Sequence, residues 1–216
     1  MRRSLYAACA ALCLLLTLVF ALCFTASRMG RDADLYARCF HAFADTAHLG
    51  VSEAEYDGIA RSLADYFQGG EADLSLFNER ESIHLADIRG LFRLFDRAWL
   101  LLIPAFILAA LLWKRWDRKG FLLGFGLCLA LLAALAVYAA ADFDSAFILM
   151  HRLLFTNELW LLSPRTDLLI CLMPEPMFTF LAARWALSAL LLWLVLPTAM
   201  IAAGLRRGKR PLWKAR

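Results

Sequence analysis

Lys114-Arg115-Trp116-Asp117-Arg118-Lys119 joins two runs that carry no charge, residues 98–113 and 121–141, and the chain's architecture follows from that junction. About twenty apolar residues cross a bilayer as one helix, because a backbone in hydrocarbon has to satisfy its own hydrogen bonds. The connector is too short to do more than turn the chain back, so the two runs read as a pair of membrane helices. The first run is short, and its helix must continue beyond both ends. Four basic residues against the single acid Asp117 place the connector on the cytoplasmic side by the positive-inside bias.

Two further apolar blocks lie outward of this pair: residues 5–26, and residues 177–203, interrupted only by Arg184. Arg2 and Arg3 precede the first, and a tail with Arg206, Arg207, Lys209, Arg210, Lys214 and Arg216 follows the last. With the connector, these segments hold all four lysines, whereas eighteen of the nineteen acids lie in residues 27–97 and 142–176. Four crossings with both termini inside satisfy every loop at once. A composition of 62% hydrophobic and 19% charged residues excludes an ordinary soluble domain.

The expected fold is an all-α membrane protein with four transmembrane helices, a mostly helical extracytoplasmic domain, and an interfacial or re-entrant segment between helices three and four. Helix 1 lies within residues 1–27, and an extracytoplasmic domain over 28–97 leads into helix 2 at 98–113. A cytoplasmic loop at 114–119 and helix 3 at 120–141 follow. Residues 142–176 form the second outer segment, residues 177–204 helix 4, and residues 205–216 a basic cytoplasmic tail. Helix 1 reads as an uncleaved anchor, since Leu22 to Ser27 holds no Ala-x-Ala site and no lipobox. Trp99, Trp113 and Trp116 are interfacial anchors, and Gly124 and Gly126 permit close helix packing.

In the first outer segment, Leu35, Cys39, Phe40, Phe43 and Ala47 follow a helical period over residues 32–48, with Gly50 as the stop. Ser52 and Glu55 form a capping box that opens a helix to about Phe67, ended by Gly69-Gly70. Leu74-Ser75-Leu76-Phe77 reads as a short strand or an extended return. Ser82 then caps a long helix that rides the interface before entering the membrane. In the second segment Ser163-Pro164 starts a short helix closed by Pro174 and Pro176, and the many apolar residues of 143–162 belong at an interface rather than in water. Cys39 and Cys171 are both outside, where a disulfide can form.

Two polar stretches carry the chemistry. Asn78-Glu79-Arg80-Glu81-Ser82-Ile83-His84-Leu85-Ala86-Asp87-Ile88-Arg89 precedes helix 2, and Asp142-Phe143-Asp144 with His151-Arg152-Leu153-Leu154-Phe155-Thr156-Asn157-Glu158-Leu159-Trp160 follows helix 3. His84 and Asp87 share a side of a helix, where a carboxylate can fix the imidazole tautomer. Asp144, Phe147 and His151 share a face if their segment is helical. Arg184 sits about two turns inside an apolar block. Charge is costly there, so it either holds a carboxylate or polar head or snorkels to the surface.

These stretches, together with Asp65-Tyr66 and Leu172-Met173-Pro174-Glu175-Pro176-Met177-Phe178, resemble the bacterial lipoprotein intramolecular transacylases, small integral membrane proteins of this length. The resemblance implies an enzyme of the bacterial cell membrane, its site facing outward. That enzyme moves the sn-2 acyl chain of a diacylated lipoprotein onto the α-amino group of the N-terminal cysteine, leaving a lyso form. The family's two essential histidines match His84 and His151. Glu81, Asp87, Arg89, Asp144, Trp160 and Arg184 are the supporting or substrate-binding candidates.

Ester-to-amide transfer is downhill, so the chain is expected to use no cofactor, no metal and no nucleotide. One imidazole takes the amine proton and one donor stabilises the oxyanion. His84, backed by Asp87, is assigned as base and His151 as carbonyl polariser, and the residues leave the reverse equally open. The alternatives are a non-catalytic scaffold or sensor with an outer partner-binding domain, a thiol oxidoreductase, and a zinc site from His84, Asp87 and His151, which lacks His-x-x-x-His spacing. The basic tail is explained by orientation and anionic membrane lipid, without nucleic acid.

Overall fold

The computed structural model describes residues 2–112 and 118–208. Eight α-helices follow in order: α1 (Arg2–Met29), α2 (Ala33–Phe43), α3 (Tyr56–Gln68), α4 (Glu79–Leu112), α5 (Arg118–Ala141), α6 (Phe143–Leu154), α7 (Leu168–Leu172) and α8 (Glu175–Gly208). One-turn 3-10 segments at Ala47–Leu49 and Glu53–Glu55 link α2 to α3, and there is no strand among the described residues. Trp113, Trp116, most of the basic connector and the tail beyond Gly208 lie outside the described residues.

Among the described residues, three stretches are long and apolar enough to cross a membrane: Ala11–Met29, Leu122–Ala141 and Glu175–Val195. Helix α1 is the hub and packs against α4, α5 and α8. Leu14, Leu18 and Ala21 meet Cys128 of α5 and Trp193 of α8 in a dry core. Gly124 lets α5 approach closely, since a Cβ there would lie 2.6 Å from the Ala11 Cα. Gly126 faces open space and makes no such contact. The indoles of Trp193 and Trp185 donate to the Leu14 and Leu22 carbonyls at 3.2 and 3.0 Å, which sets the register of α8 against α1. Leu123, Leu127, Leu135 and Val137 of α5 stay exposed, as suits a lipid-facing surface.

Helix α4 runs without a break from the outer domain into the uncharged stretch 98–112, so the short second run does continue at its outer end. Its start differs from expectation. Ser82 lies one turn inside the helix, and the cap is Asn78: its Oδ1 accepts from Glu81 N at 3.0 Å while Glu81 Oε2 accepts from Asn78 N at 2.8 Å. This reciprocal pair satisfies two of the free amides at a helix start.

The outer domain packs α2 and α3 against the start of α4 and against α7. Phe40, Ala60, Leu63, Leu85 and Leu172 are fully buried in one core. Glu55 accepts from both the N–H and the hydroxyl of Ser52 at 2.8 Å, which forms the expected capping box. Gly69 ends α3 at φ +110°, in the left-handed region that favours glycine. Helix α2 stops at Phe43, short of the expected 48, because Asp45 N bonds the Cys171 carbonyl at 3.1 Å and Thr46 Oγ1 bonds the Val51 carbonyl at 2.8 Å. Leu74 to Phe77 form a turn, with Phe77 N on Leu74 O at 2.9 Å. Ser163-Pro164 opens a turn rather than a helix. Asp167 closes it by accepting from Ser163 N at 2.7 Å, and α7 begins only at Leu168. Cys39 and Cys171 are buried free thiols, and burial raises the pKa of both.

Candidate active site

Helix α6 begins at Asp142, whose Oδ1 accepts from Ser145 N at 3.0 Å, and it carries Phe147 and His151 on one face. The two rings lie 3.9 Å apart, centroid to centroid. Trp160 closes over His151 at 4.8 Å, and Phe155 packs edge-on against His84 at 5.0 Å. The imidazoles of His84 and His151 are 6.2 Å apart, at 5% and 7% exposure. Two residues 67 positions apart in sequence thus share one aromatic enclosure, closed to bulk water.

Hydrogen bonding separates the two histidines. His151 Nδ1 lies 2.9 Å from the Phe147 carbonyl oxygen, which can only accept. Nδ1 therefore carries the proton, and in the neutral ring Nε2 presents its lone pair. His84 Nδ1 is buried with no hydrogen-bond partner. Desolvation, reinforced by the nearby His151, pushes the His84 pKa down to about 4 against a smaller opposing effect of Asp87. Desolvation also lowers the His151 pKa, opposed by its bond to Phe147 O. Both rings are neutral at pH 7.

Asp87 does not hold His84 by a hydrogen bond, as its position one turn away suggested. Its Oδ2 accepts from Asn157 Nδ2 at 2.8 Å. Asn157 in turn accepts from Leu159 N through Oδ1 at 3.0 Å and from the Trp160 indole through its backbone carbonyl at 2.9 Å. The amide so ties the loop that carries Phe155 and Trp160 to α4. A double-mutant cycle of Asp87→Ala and Asn157→Ala is expected to show a coupling of about 0.5–3 kcal/mol in unfolding, whereas additive effects would mean that the latch does not act as a unit.

The remaining candidates stand apart from the imidazoles. Glu81, at 1% exposure, accepts from Leu169 N at 2.6 Å as well as from Asn78 N, so it pins α7 to the start of α4. Burial raises its pKa. Asn78 extends the same anchor by donating to Asp167 Oδ1 at 2.9 Å. Arg89 donates to the Gly69 carbonyl at 2.6 Å and lies 4.6 Å over the Tyr66 ring, where it staples the end of α3 to α4. Asp144 is exposed in the first turn of α6, two turns before His151. Arg184 lines a cleft elsewhere, with Arg28 and Asp96. Among the described residues no three His, Cys, Asp or Glu side chains are grouped so as to hold a metal ion. Asn157 and Phe155 were not singled out from the sequence, because an amide and a phenyl ring have no spacing rule that marks them as partners of residues so far upstream.

The family described as lipoprotein intramolecular transacylase Lit matches residues 9–178. Three solved structures share the fold, all of the membrane-integral lipoprotein intramolecular transacylase Lit from Bacillus cereus. One, at 21% identity, covers 95% of this chain and 98% of its own with a TM-score of 0.73. Two others, each with a histidine replaced, by arginine in one and by alanine in the other, are 20% identical with TM-scores of 0.70 and 0.71. They cover 97% of this chain and 95% and 96% of their own. No curated protein is significantly similar in sequence. The match spans most of the chain, so this protein belongs to the lipoprotein intramolecular transacylase family and is an acyltransferase.

Proposed function

We propose that this acyltransferase moves the sn-2 acyl chain of a diacylglyceryl lipoprotein to the α-amino group of its N-terminal cysteine, and that His84 and His151 carry the reaction. The observation that carries the proposal is the enclosed pair of neutral imidazoles, one of which has its lone pair free at Nε2. That pairing favours the reverse of the assignment first drawn from the residues. A ring titrating near 4 is a weak base, whereas His151 is oriented as an acceptor. His151 is the base and His84 the donor.

The neutral amine nitrogen attacks the ester carbonyl, forming the C–N bond and pushing the carbonyl pair onto oxygen. An N–H of His84 stabilises that oxyanion. His151 Nε2 accepts the amine proton and returns it to the sn-2 oxygen as the C–O bond breaks, so amide and alcohol form together with no net proton change. Amine and ester belong to one molecule, and positioning can supply several kcal/mol of the barrier, of order 7 or more in well-aligned cases. The rings around the pair exclude water that would hydrolyse the same ester.

The same reading takes residues 98–112 of α4 as a fourth crossing, with both termini in the cytoplasm and the histidines at the outer face of the bacterial cell membrane. Helix α6, which exposes Ile148, Leu149 and Leu153, then lies at the lipid interface, where an acyl chain can reach His151. Mass spectrometry of a reporter lipoprotein made with and without the protein tests the proposal. An N-acyl, S-monoacylglyceryl cysteine present only with it is expected. A free amine beside an intact diacylglyceryl group would refute the assignment.

A further inference from the structure

A second polar cleft, of about 690 Å³, opens between α4 and α8 over the outer end of α1, away from the histidines. Asp96 on its wall is twelve residues past His84 on α4, which at 1.5 Å per residue is roughly 18 Å along the helix. Arg28, Arg31 and Arg184 line the cleft. Only Arg31 is matched: it donates to both Asp96 oxygens at 3.0 and 2.7 Å, and Ser27 and Trp99 bond the same carboxylate. The other wall acid, Asp32, caps α2 by accepting from Leu35 N at 2.9 Å. Arg28 and Arg184 are exposed to the cleft and pair with no carboxylate among the described residues.

The depth of Arg184 makes this informative. The adjacent Trp185 bonds the Leu22 carbonyl, so Arg184 lies beside a part of α1 that is within the apolar span Ala11–Met29. Charge beside an apolar span is costly, and the Arg184 guanidinium reaches outward, close enough to Cys39 of α2 to act on its thiol, into a cleft shared with a second arginine that pairs with no carboxylate among the described residues and with Ser188. Two planar guanidinium forks match the unesterified oxygens of a phosphodiester, and a cleft open to lipid at the end of a span is where phospholipid heads reside.

We propose that Arg28 and Arg184 bind the phosphate of an anionic phospholipid, at a site separate from the two histidines. The diacylglyceryl group of the substrate carries no phosphate, so this lipid is a resident of the membrane and not the acyl donor. The reading does not depend on the roles given to His84 and His151.

The test is native mass spectrometry of the full-length protein released from detergent with phosphatidylglycerol, with diacylglycerol of the same chains, or with inorganic phosphate. Phosphatidylglycerol is expected to be retained about tenfold better than diacylglycerol, to lose about tenfold in Arg28→Gln/Arg184→Gln, and to be unaffected in Arg61→Gln on the exposed side of α3. Equal retention of the two lipids, displacement by millimolar phosphate, or the same loss in Arg61→Gln would overturn the proposal. If the double variant fails to fold, the comparison of lipids on the unaltered protein still decides it.

Discussion

Replacing His151 by glutamine is expected to lower the transacylation rate by about 10²–10⁴, the range that general acid–base catalysis supplies. Glutamine keeps an N–H and approximates the shape of the ring, but it has no basic nitrogen to take the amine proton. His84→Gln is expected to be milder, about 10² or more, because glutamine can still donate to an oxyanion from nearly the same place. A more damaging His84→Gln would reverse the roles. The pH profile gives an independent check. The α-amino nucleophile titrates near 8, so the rate falls with unit slope below that pH. Burial lowers the His151 pKa beneath its ordinary 6.5, so the neutral base persists through pH 6.5 and the slope steepens to two only below it. Steepening above 6.5 would mean that His151 is not the desolvated base described here.

The second large effect concerns stability. Glu81→Ala removes a buried carboxyl that accepts from Leu169 N and Asn78 N, leaving the enclosed Leu169 amide unpaired at the junction of α4 and α7 while the amide of exposed Asn78 turns to water. One stranded buried donor costs about 1–3 kcal/mol, so a loss of roughly 2 kcal/mol is expected, read as a fall of about 4–8 °C in melting temperature. Glu81→Gln retains one acceptor oxygen and is expected to lose about half as much. Its raised pKa gives the sign of the pH effect: protonated Glu81 is favoured by folding, so its contribution is lost as pH rises through the folded pKa. Equal melting temperatures for Glu81→Ala and the unaltered protein would contradict the anchoring role.

Three of the four expected apolar spans were legible in the sequence because hydropathy is a summed property, and single errors do not move it. The Ser52–Glu55 box and the Gly69 stop were legible because both act within four residues. Tertiary bonds decided the rest. Periodicity carried α2 past Phe43, but the hold of Cys171 on Asp45 ends it there. Asn78 followed three residues later by Glu81 is itself a capping signal, and it competes with Ser82 for the helix start. The pairing of His84 with Asp87 followed from helical spacing, yet the carboxylate found a closer partner in Asn157, seventy positions away. His84 and His151 could be named from their stretches, but which ring is base depends on a single bond to the Phe147 carbonyl, and no sequence pattern specifies it.

The most direct measurement uses a synthetic lipopeptide with different acyl chains at sn-1 and sn-2, incubated with the full-length protein. The account predicts that the amide carries only the sn-2 chain, that no chain crosses between two mass-labelled peptides, and that little free fatty acid appears. An amide bearing the sn-1 chain, exchange between peptides, or release of fatty acid in place of amide would contradict it.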